Sequence, residues 1–341
     1  MLIVMKADAT PQQLDSVCAM VRTLGLTPHP IPGPTRVAIG VTGNTQPVDA
    51  EPIRGLAGVM EVIRVTQPYK LTSREMKPDD TVIRVGEVEI GGGVPFVIAG
   101  PCSVESREQM SKTAAALREQ GAAMLRGGAY KPRSSPYSFQ GLGEEGLTIL
   151  REVRAATHLP VVTEAVGTEV FDAVEETADI VQIGSRNMAN FPLLKRAGQS
   201  RRPVLLKRLM SATLEEFLLA AEYIMSEGNR QVMLCERGIR TFSDHSRYTL
   251  DINIVPELKR RSHLPVLVDP SHAAGRRDSV IPLARAALAA GADGIMVEVH
   301  PDPDRALSDG AQSLTIPMFA ELMAEIEIMR PVLARAAGRK A

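Results

Sequence analysis

A thiol, an imidazole and two carboxylates stand at the polar ends of otherwise apolar runs: Cys102 in "IAGPCSVES", His272 in "VDPSH", Glu298 in "MVEVH" and, in the following loop, Asp309 in "RALSDGAQ". A mixed sulfur, nitrogen and oxygen set suits a divalent transition metal, Mn2+, Fe2+, Co2+ or Zn2+, better than Mg2+, which prefers oxygen alone. With one coordination position left for water or substrate, such an ion is catalytic. His300, two residues after Glu298 and on the same face by strand alternation, is an alternative to His272 as the nitrogen donor. A second set is cationic and occupies equivalent positions: Arg126, Lys131 and Arg133 in "RGGAYKPRSSP", Arg186 in "IGSR", Lys207 in "LLKRL" and Arg237 in "CERG". The chain carries 39 Lys and Arg against 40 Asp and Glu. Cations gathered at one mouth of so balanced a chain imply a substrate with phosphate and carboxylate groups, which need forked or point-charge donors.

Both sets depend on what brings distant segments together. Eight short apolar runs, "FVIAGPC", "AAMLRGGA", "PVVTEA", "IVQIGS", "PVLLKRL", "QVMLCERG", "PVLVDPSH" and "GIMVEVH", are each followed by a segment of helical period. Their polar residues lie at the C-terminal ends, as in parallel strands buried on both faces. Eight such units, without a GxGxxG phosphate fingerprint, predict an α/β fold: a closed (β/α)8 barrel, whose site lies where the strands end. Thr213 with Glu216 and Ser106 with Gln109 read as capping boxes opening two of the helices. The stretch "TVIRVGEVEIGGG" before the first barrel strand reads as a hairpin plugging the barrel's bottom. A cysteine after an apolar strand is ordinarily a small buried side chain. Convergence with three other donors is what distinguishes Cys102. Cys18 reads as helix core, and Cys235 as a strand residue with no partner assigned.

The first 70 residues have another rhythm, strand, helix, strand, strand, helix, strand, which predicts a small ferredoxin-like α+β domain (1–70) whose first helix opens at Pro11 and ends at Gly25. A polar stretch, 71–81, reads as a linker, and 82–341 as the barrel with its hairpin. Three scattered cysteines argue for a reducing, cytoplasmic setting without disulfides. A net charge of −1 offers no general case for nucleic acid or an anionic membrane, and no apolar run approaches a membrane span.

The series "GPCSVES", "KPRSSPYSFQGLGEEGL", "QIGSRNMANFPLL", "LLKRLM", "CERGIRTF", "VDPSHAAG" and "VEVHPDP…SDGAQSL" closely resembles 3-deoxy-D-arabino-heptulosonate 7-phosphate (DAHP) synthases, and the N-terminal domain resembles the ferredoxin-like regulatory extension of their type I beta branch. The resemblance implies condensation of phosphoenolpyruvate with erythrose 4-phosphate in the shikimate pathway. It implies Cys102, His272, Glu298 and Asp309 as metal ligands, with Cys102, His272 and Lys131 serving catalysis. Arg126, Lys131, Arg186, Lys207 and Arg237 would bind phosphoenolpyruvate, and Arg133 and Ser134 the sugar phosphate. The family commonly has Thr where Ser134 stands, which preserves the hydroxyl. A homo-oligomer, a homotetramer by resemblance, and a tyrosine or phenylalanine effector are also implied. The related 3-deoxy-D-manno-octulosonate 8-phosphate synthase is the nearest alternative, but its loop typically reads KANRSS where this chain has "KPRSSP". A metal-binding sensor on a degenerate barrel is the alternative outside catalysis.

Overall fold

The computed structural model describes residues 1–33, 36–44, 48–63, 68–132 and 135–338, with side chains as far as 333. Two compact units divide the chain, Met1–Asp79 and Asp80–Ala341. The first contains β1 (Leu2–Met5), α1 (Pro11–Thr23), β2 (Thr27–Pro32), β3 (Val37–Thr42), α2 (Glu51–Arg54) and β4 (Val59–Ile63), with the antiparallel sheet ordered β2-β3-β1-β4. This is the ferredoxin-like arrangement. A complete capping box between Thr10 and Gln13 starts α1 with Pro11 in its first turn, and Gly25 (φ 73°) takes the left-handed turn after it. Val17, Cys18 and Val21 face the sheet and pack with Ile3, Met5 and Ile39. The second helix is a single turn, shorter than its pattern predicts, because Gly55 and Gly58 (φ 87°) follow closely. Residues 71–79, read as linker from their polarity, belong to the first unit: Leu71 and Met76 are buried, and Met76 lies against Gly40 of the sheet.

In the second unit, β5 (Ile83–Val85) and β6 (Val88–Ile90) form a hairpin. Ile83, Val85 and Ile90 share a core with Phe96, Met124, Ile180 and Met233 of the barrel strands, so the hairpin closes the N-terminal end as its pattern predicts. The barrel strands are β7 (Phe96–Gly100), β8 (Met124–Arg126), β9 (Val161–Glu164), β10 (Ile180–Ile183), β11 (Val204–Lys207), β12 (Val232–Glu236), β13 (Val266–Val268) and β14 (Gly294–Glu298), all parallel and in chain order. The ring closes where β14 pairs with β7, from Gly294 opposite Phe96 to Glu298 opposite Gly100. Around it run α3 (Arg107–Glu119), α4 (Glu144–Thr157), α5 (Phe171–Thr177), α6 (Phe191–Gly198), α7 (Leu214–Ser226), α8 (Ile254–Arg261), the single turn α9 (Pro270–Ala274), α10 (Val280–Ala289) and α11 (Ile316–Gly338). Thr213 and Glu216 form their capping box on α7. On α3 only half forms: Ser106 accepts from the Gln109 amide, while the Gln109 side chain turns to Ser103 and Glu105.

A device recurs at the barrel's N-terminal end. Asp293, just before β14, accepts from the Val266 amide of β13 at 2.7 Å and from Lys259 of α8 at 2.9 Å. Asp179, just before β10, does the same with Val161 of β9 (2.8 Å) and Arg154 of α4 (3.3 Å). The Lys259 and Asp293 side chains are each 8% exposed. Removing one partner of so buried a pair leaves a charge poorly compensated, so Asp293→Ala is expected to lower stability by about 3 kcal/mol. A thermal midpoint unchanged within about 2 °C, where roughly 5–10 °C is expected, would show that the pair contributes little.

Candidate active site at the barrel mouth

β7 ends at Gly100 (φ 150°), where any side chain would strike the Arg126 carbonyl 2.1 Å away. That close approach to the end of β8 sets the turn from which Cys102 projects inward. His272 is carried by α9, whose start is fixed by Asp269 accepting from the His272 amide at 3.0 Å, with Pro270 in the first turn. Glu298 ends β14. Asp309 lies in the loop beyond it, in a left-handed backbone conformation (φ 52°). One donor atom from each of Cys102, His272, Glu298 and Asp309 falls within 4.8 Å of all the others. The two open nitrogen donors are thereby separated: His300 binds Glu105 at 3.3 Å and accepts from the Asp302 amide at 3.0 Å, outside this group.

Electrostatics prepare the group for a cation. Burial and the charge of Glu298 push the Cys102 thiol up to about 12, against Lys131, so the sulfur carries its proton and donates to Asp309 Oδ2 at 3.0 Å. Burial holds His272 below its ordinary value although Asp269 and Glu298 oppose it. For both Glu298 and Asp309 burial favours protonation, but His272 and the neighbouring cations outweigh it and keep them ionised. Asp269 is held well below the carboxylate range in the same way, by His272 and Lys207. Its Oδ2 lies 2.7 Å from His272 Nδ1, so once the imidazole is neutral, its proton held there, Nε2 is left as an acceptor. Nε2 then faces another acceptor, Glu298 Oε1, at 3.2 Å. Two lone pairs at that separation, with a thiol and a second carboxylate beside them, fit a divalent transition metal.

The cations predicted from strand ends meet in one cavity. Arg126, Lys131, Arg186, Lys207 and Arg237 line it together with Glu164, Gln182, Arg247, Tyr248, His272 and Asp309. Arg133 and Ser134 lie outside the described residues. Three donors of the first group, directly or through a neighbour, are tied to a cation of the second. Lys131 Nζ lies 3.0 Å from Cys102 Sγ, Arg126 Nη1 2.9 Å from Glu298 Oε1, and Lys207 binds Asp269, which holds His272. Arg237 is buried, stacks 4.5 Å over the Tyr248 ring, and has an Nη1 without a partner among the described residues. Lys131 keeps its proton: burial opposes the ammonium, but Cys102 and Glu164 outweigh burial and raise its pKa.

Several participants escape the sequence reading. Glu164 ends a buried strand just as Lys207 does and carries the same signal, and it is joined at 3.0 Å to Gln182, the residue before the last of β10. Asp269 sits where an N-cap before Pro270 announces it. Arg247 and Tyr248 come from the irregular segment between β12 and α8, which has no periodicity to reveal their direction. Cys235 points into the barrel core, and burial pushes its thiol up to about 12.

Comparison with known proteins joins this geometry to a lineage. Residues 69–330 match the DAHP synthetase I family, and residues 1–67 match the DAHP synthase ferredoxin-like domain. The chain is 53% identical over 333 residues to phospho-2-dehydro-3-deoxyheptonate aldolase of Thermotoga maritima, covering 98% of each. It resembles the crystal structure of phospho-2-dehydro-3-deoxyheptonate aldolase (DAHP synthase) from that organism with a TM-score of 0.78 at 52% identity, over 98% of both chains. A truncated form of 3-deoxy-D-arabino-heptulosonate 7-phosphate synthase from Thermotoga maritima gives a TM-score of 0.73 at 55% identity, over 77% of this chain and 97% of that one. With the barrel, its mouth and the N-terminal sheet all matched, the chain belongs to the DAHP synthetase I family and is an enzyme of that family.

Proposed function

We propose that the chain condenses phosphoenolpyruvate with D-erythrose 4-phosphate and water to give DAHP and inorganic phosphate, with a divalent transition metal held by Cys102, His272, Glu298 and Asp309. The supporting observation is that five cations line one cavity with His272 and Asp309 of this donor group, while Lys131 reaches Cys102, Arg126 reaches Glu298 and Lys207 reaches His272 through Asp269. A bound ion supplies Lewis acidity toward the aldehyde oxygen. Arg126, Lys131, Arg186, Lys207 and Arg237 hold the carboxylate and phosphate of phosphoenolpyruvate, offsetting two mutually repelling anions and fixing C3 against the aldehyde carbon. Arg133 and Ser134 take the phosphate of the aldose. As C3 bonds to the aldehyde carbon, the carbonyl electron pair moves to oxygen, which takes a proton from the Lys131 ammonium. Water adds at C2 and gives one of its protons, by way of solvent, back to Lys131. As the bond between C2 and the bridging oxygen breaks, the proton of the C2 hydroxyl passes to the departing phosphate, leaving the keto group.

The N-terminal unit contributes none of these residues, and we assign it to feedback inhibition by tyrosine or phenylalanine. A ligand that favours an inhibited state shifts the population only as far as its differential affinity allows. The enzyme is placed in the reducing cytoplasm, in keeping with three free, buried cysteines; among the described residues no helix is long and apolar enough to cross a membrane. One set of phosphate-release assays tests both readings. The full chain is expected to prefer erythrose 4-phosphate to arabinose 5-phosphate by more than about tenfold in kcat/KM. A chain beginning at Asp80 should keep that activity and lose sensitivity to tyrosine and phenylalanine. Preference for the five-carbon sugar would favour the octulosonate enzyme, and inhibition surviving truncation would remove the sensor role.

A further inference from the structure

The two carboxylates of the donor group are held from outside by residues that neither set predicted from the sequence contains. Arg247 Nη1 donates to Asp309 Oδ1 at 3.0 Å and to Gln312 Oε1 at 2.9 Å. Gln312 Nε2 donates in turn to Glu298 Oε2 at 2.6 Å. The partners fix the orientation of the Gln312 amide, since its oxygen must face the guanidinium and its NH2 the carboxylate. Gln312 is 2% exposed. Arg247 is anchored by its backbone, whose amide donates to Ala274 at the end of α9 (3.2 Å). The opposite oxygens point into the group: Asp309 Oδ2 lies 3.0 Å from Cys102 Sγ, and Glu298 Oε1 lies 3.2 Å from His272 Nε2. Asp309 needs such restraint because its left-handed backbone is uncommon for a residue with a side chain. Its carbonyl is held as well, by the Gln312 amide at 3.2 Å and the Ser313 hydroxyl at 3.1 Å.

We propose that Arg247 and Gln312 are positioning residues that occupy the outer oxygens of Asp309 and Glu298, so that each carboxylate offers a single oxygen to an ion. The proposal rests on reading the four donors as a metal site. A carboxylate free at both oxygens can bind in bidentate fashion and raise the coordination number, as large oxygen-preferring cations favour. Restricting both to one oxygen gives a set of four protein atoms with positions left for substrate and water. The bracket therefore bears on the choice of ion as well as on affinity, through contacts that never touch the ion.

The test uses the full-length chain, freed of metal by chelation and titrated with Co2+. The Cys102-to-cobalt charge-transfer band reports occupancy, and visible d–d intensity falls as coordination number rises. Arg247→Met, at a side chain 37% exposed, alters the bracket from its solvent side, and Gln312→Met alters it from the buried side. Each is expected to keep the charge-transfer band, to weaken Co2+ binding by roughly 10- to 100-fold, and to lower the d–d intensity. Unchanged affinity or unchanged d–d intensity in both variants would overturn the proposal. Loss of the charge-transfer band would overturn it too, by showing that the pair holds the thiol rather than the carboxylates. Absence of that band in the unmodified chain would instead overturn the metal reading, and the bracket with it.

Discussion

Cys102→Ala is expected to lower turnover by about a thousandfold or more while leaving the barrel folded, because a Lewis acid worth several kcal/mol is lost with its softest ligand. The substitution removes one sulfur from a turn set by Gly100, so the core itself stays closed. Of the four donors the thiol and the imidazole favour a transition ion over Mg2+, and losing the softer of the two should blunt selectivity along with activity. Chelation of the unmodified enzyme should give the same loss, reversed on adding back one of those ions. Phosphate release measures turnover, and thermal unfolding checks the fold. Full turnover in the presence of chelator, or in the folded variant, would end the metal assignment.

Lys131 should show the second large effect, and there the kinetic pattern matters more than its size. Its ammonium lies 3.0 Å from both the sulfur and the carbonyl oxygen of Cys102 and lines the cavity at the barrel mouth. If it hands a proton to the aldehyde oxygen, Lys131→Met lowers kcat by about 10²- to 10⁴-fold, the usual span for a positioned acid. Lys131→Arg keeps the charge but not a transferable proton, since a guanidinium does not ionise in this range. It should therefore restore the KM for phosphoenolpyruvate without restoring kcat. Recovery of kcat by arginine would reduce Lys131 to an electrostatic contact.

What was legible before the structure, and what was not, divides by how a residue acts. The barrel strands announce themselves because an all-buried run with a polar last residue has few other uses, and Arg126, Lys207 and Glu298 are such last residues. The same pattern places Cys102 and His272 beside them. Local chemistry was legible where it is self-contained, as in the Thr213 and Glu216 box, and less so at Ser106, where Gln109 is drawn to Ser103. Polarity misled at 71–79, where a few buried side chains fix a stretch that looks like solvent-exposed linker. Arg247 and Gln312 were hidden for another reason. They act on other side chains from loops, and nothing in spacing says which way such a residue will turn. His300 shows the converse, since alternation does not continue past the end of β14.

The seam of the ring carries one more consequence. Cys102 follows the first barrel strand and Glu298 ends the last, and they are neighbours because β7 and β14 pair with Gly100 opposite Glu298. A growing polypeptide that has emerged as far as α10 already carries the thiol and the imidazole, yet has neither carboxylate. Closing the ring is the most distant contact the topology demands, and so among the slowest events of assembly. The four proposed donors therefore come together only once the ring has closed. An ion that binds only the closed ring then pulls that equilibrium toward completion. At the proposed metal site such an ion would also be a clasp, and enzyme deprived of it should loosen first along the line where β7 and β14 meet.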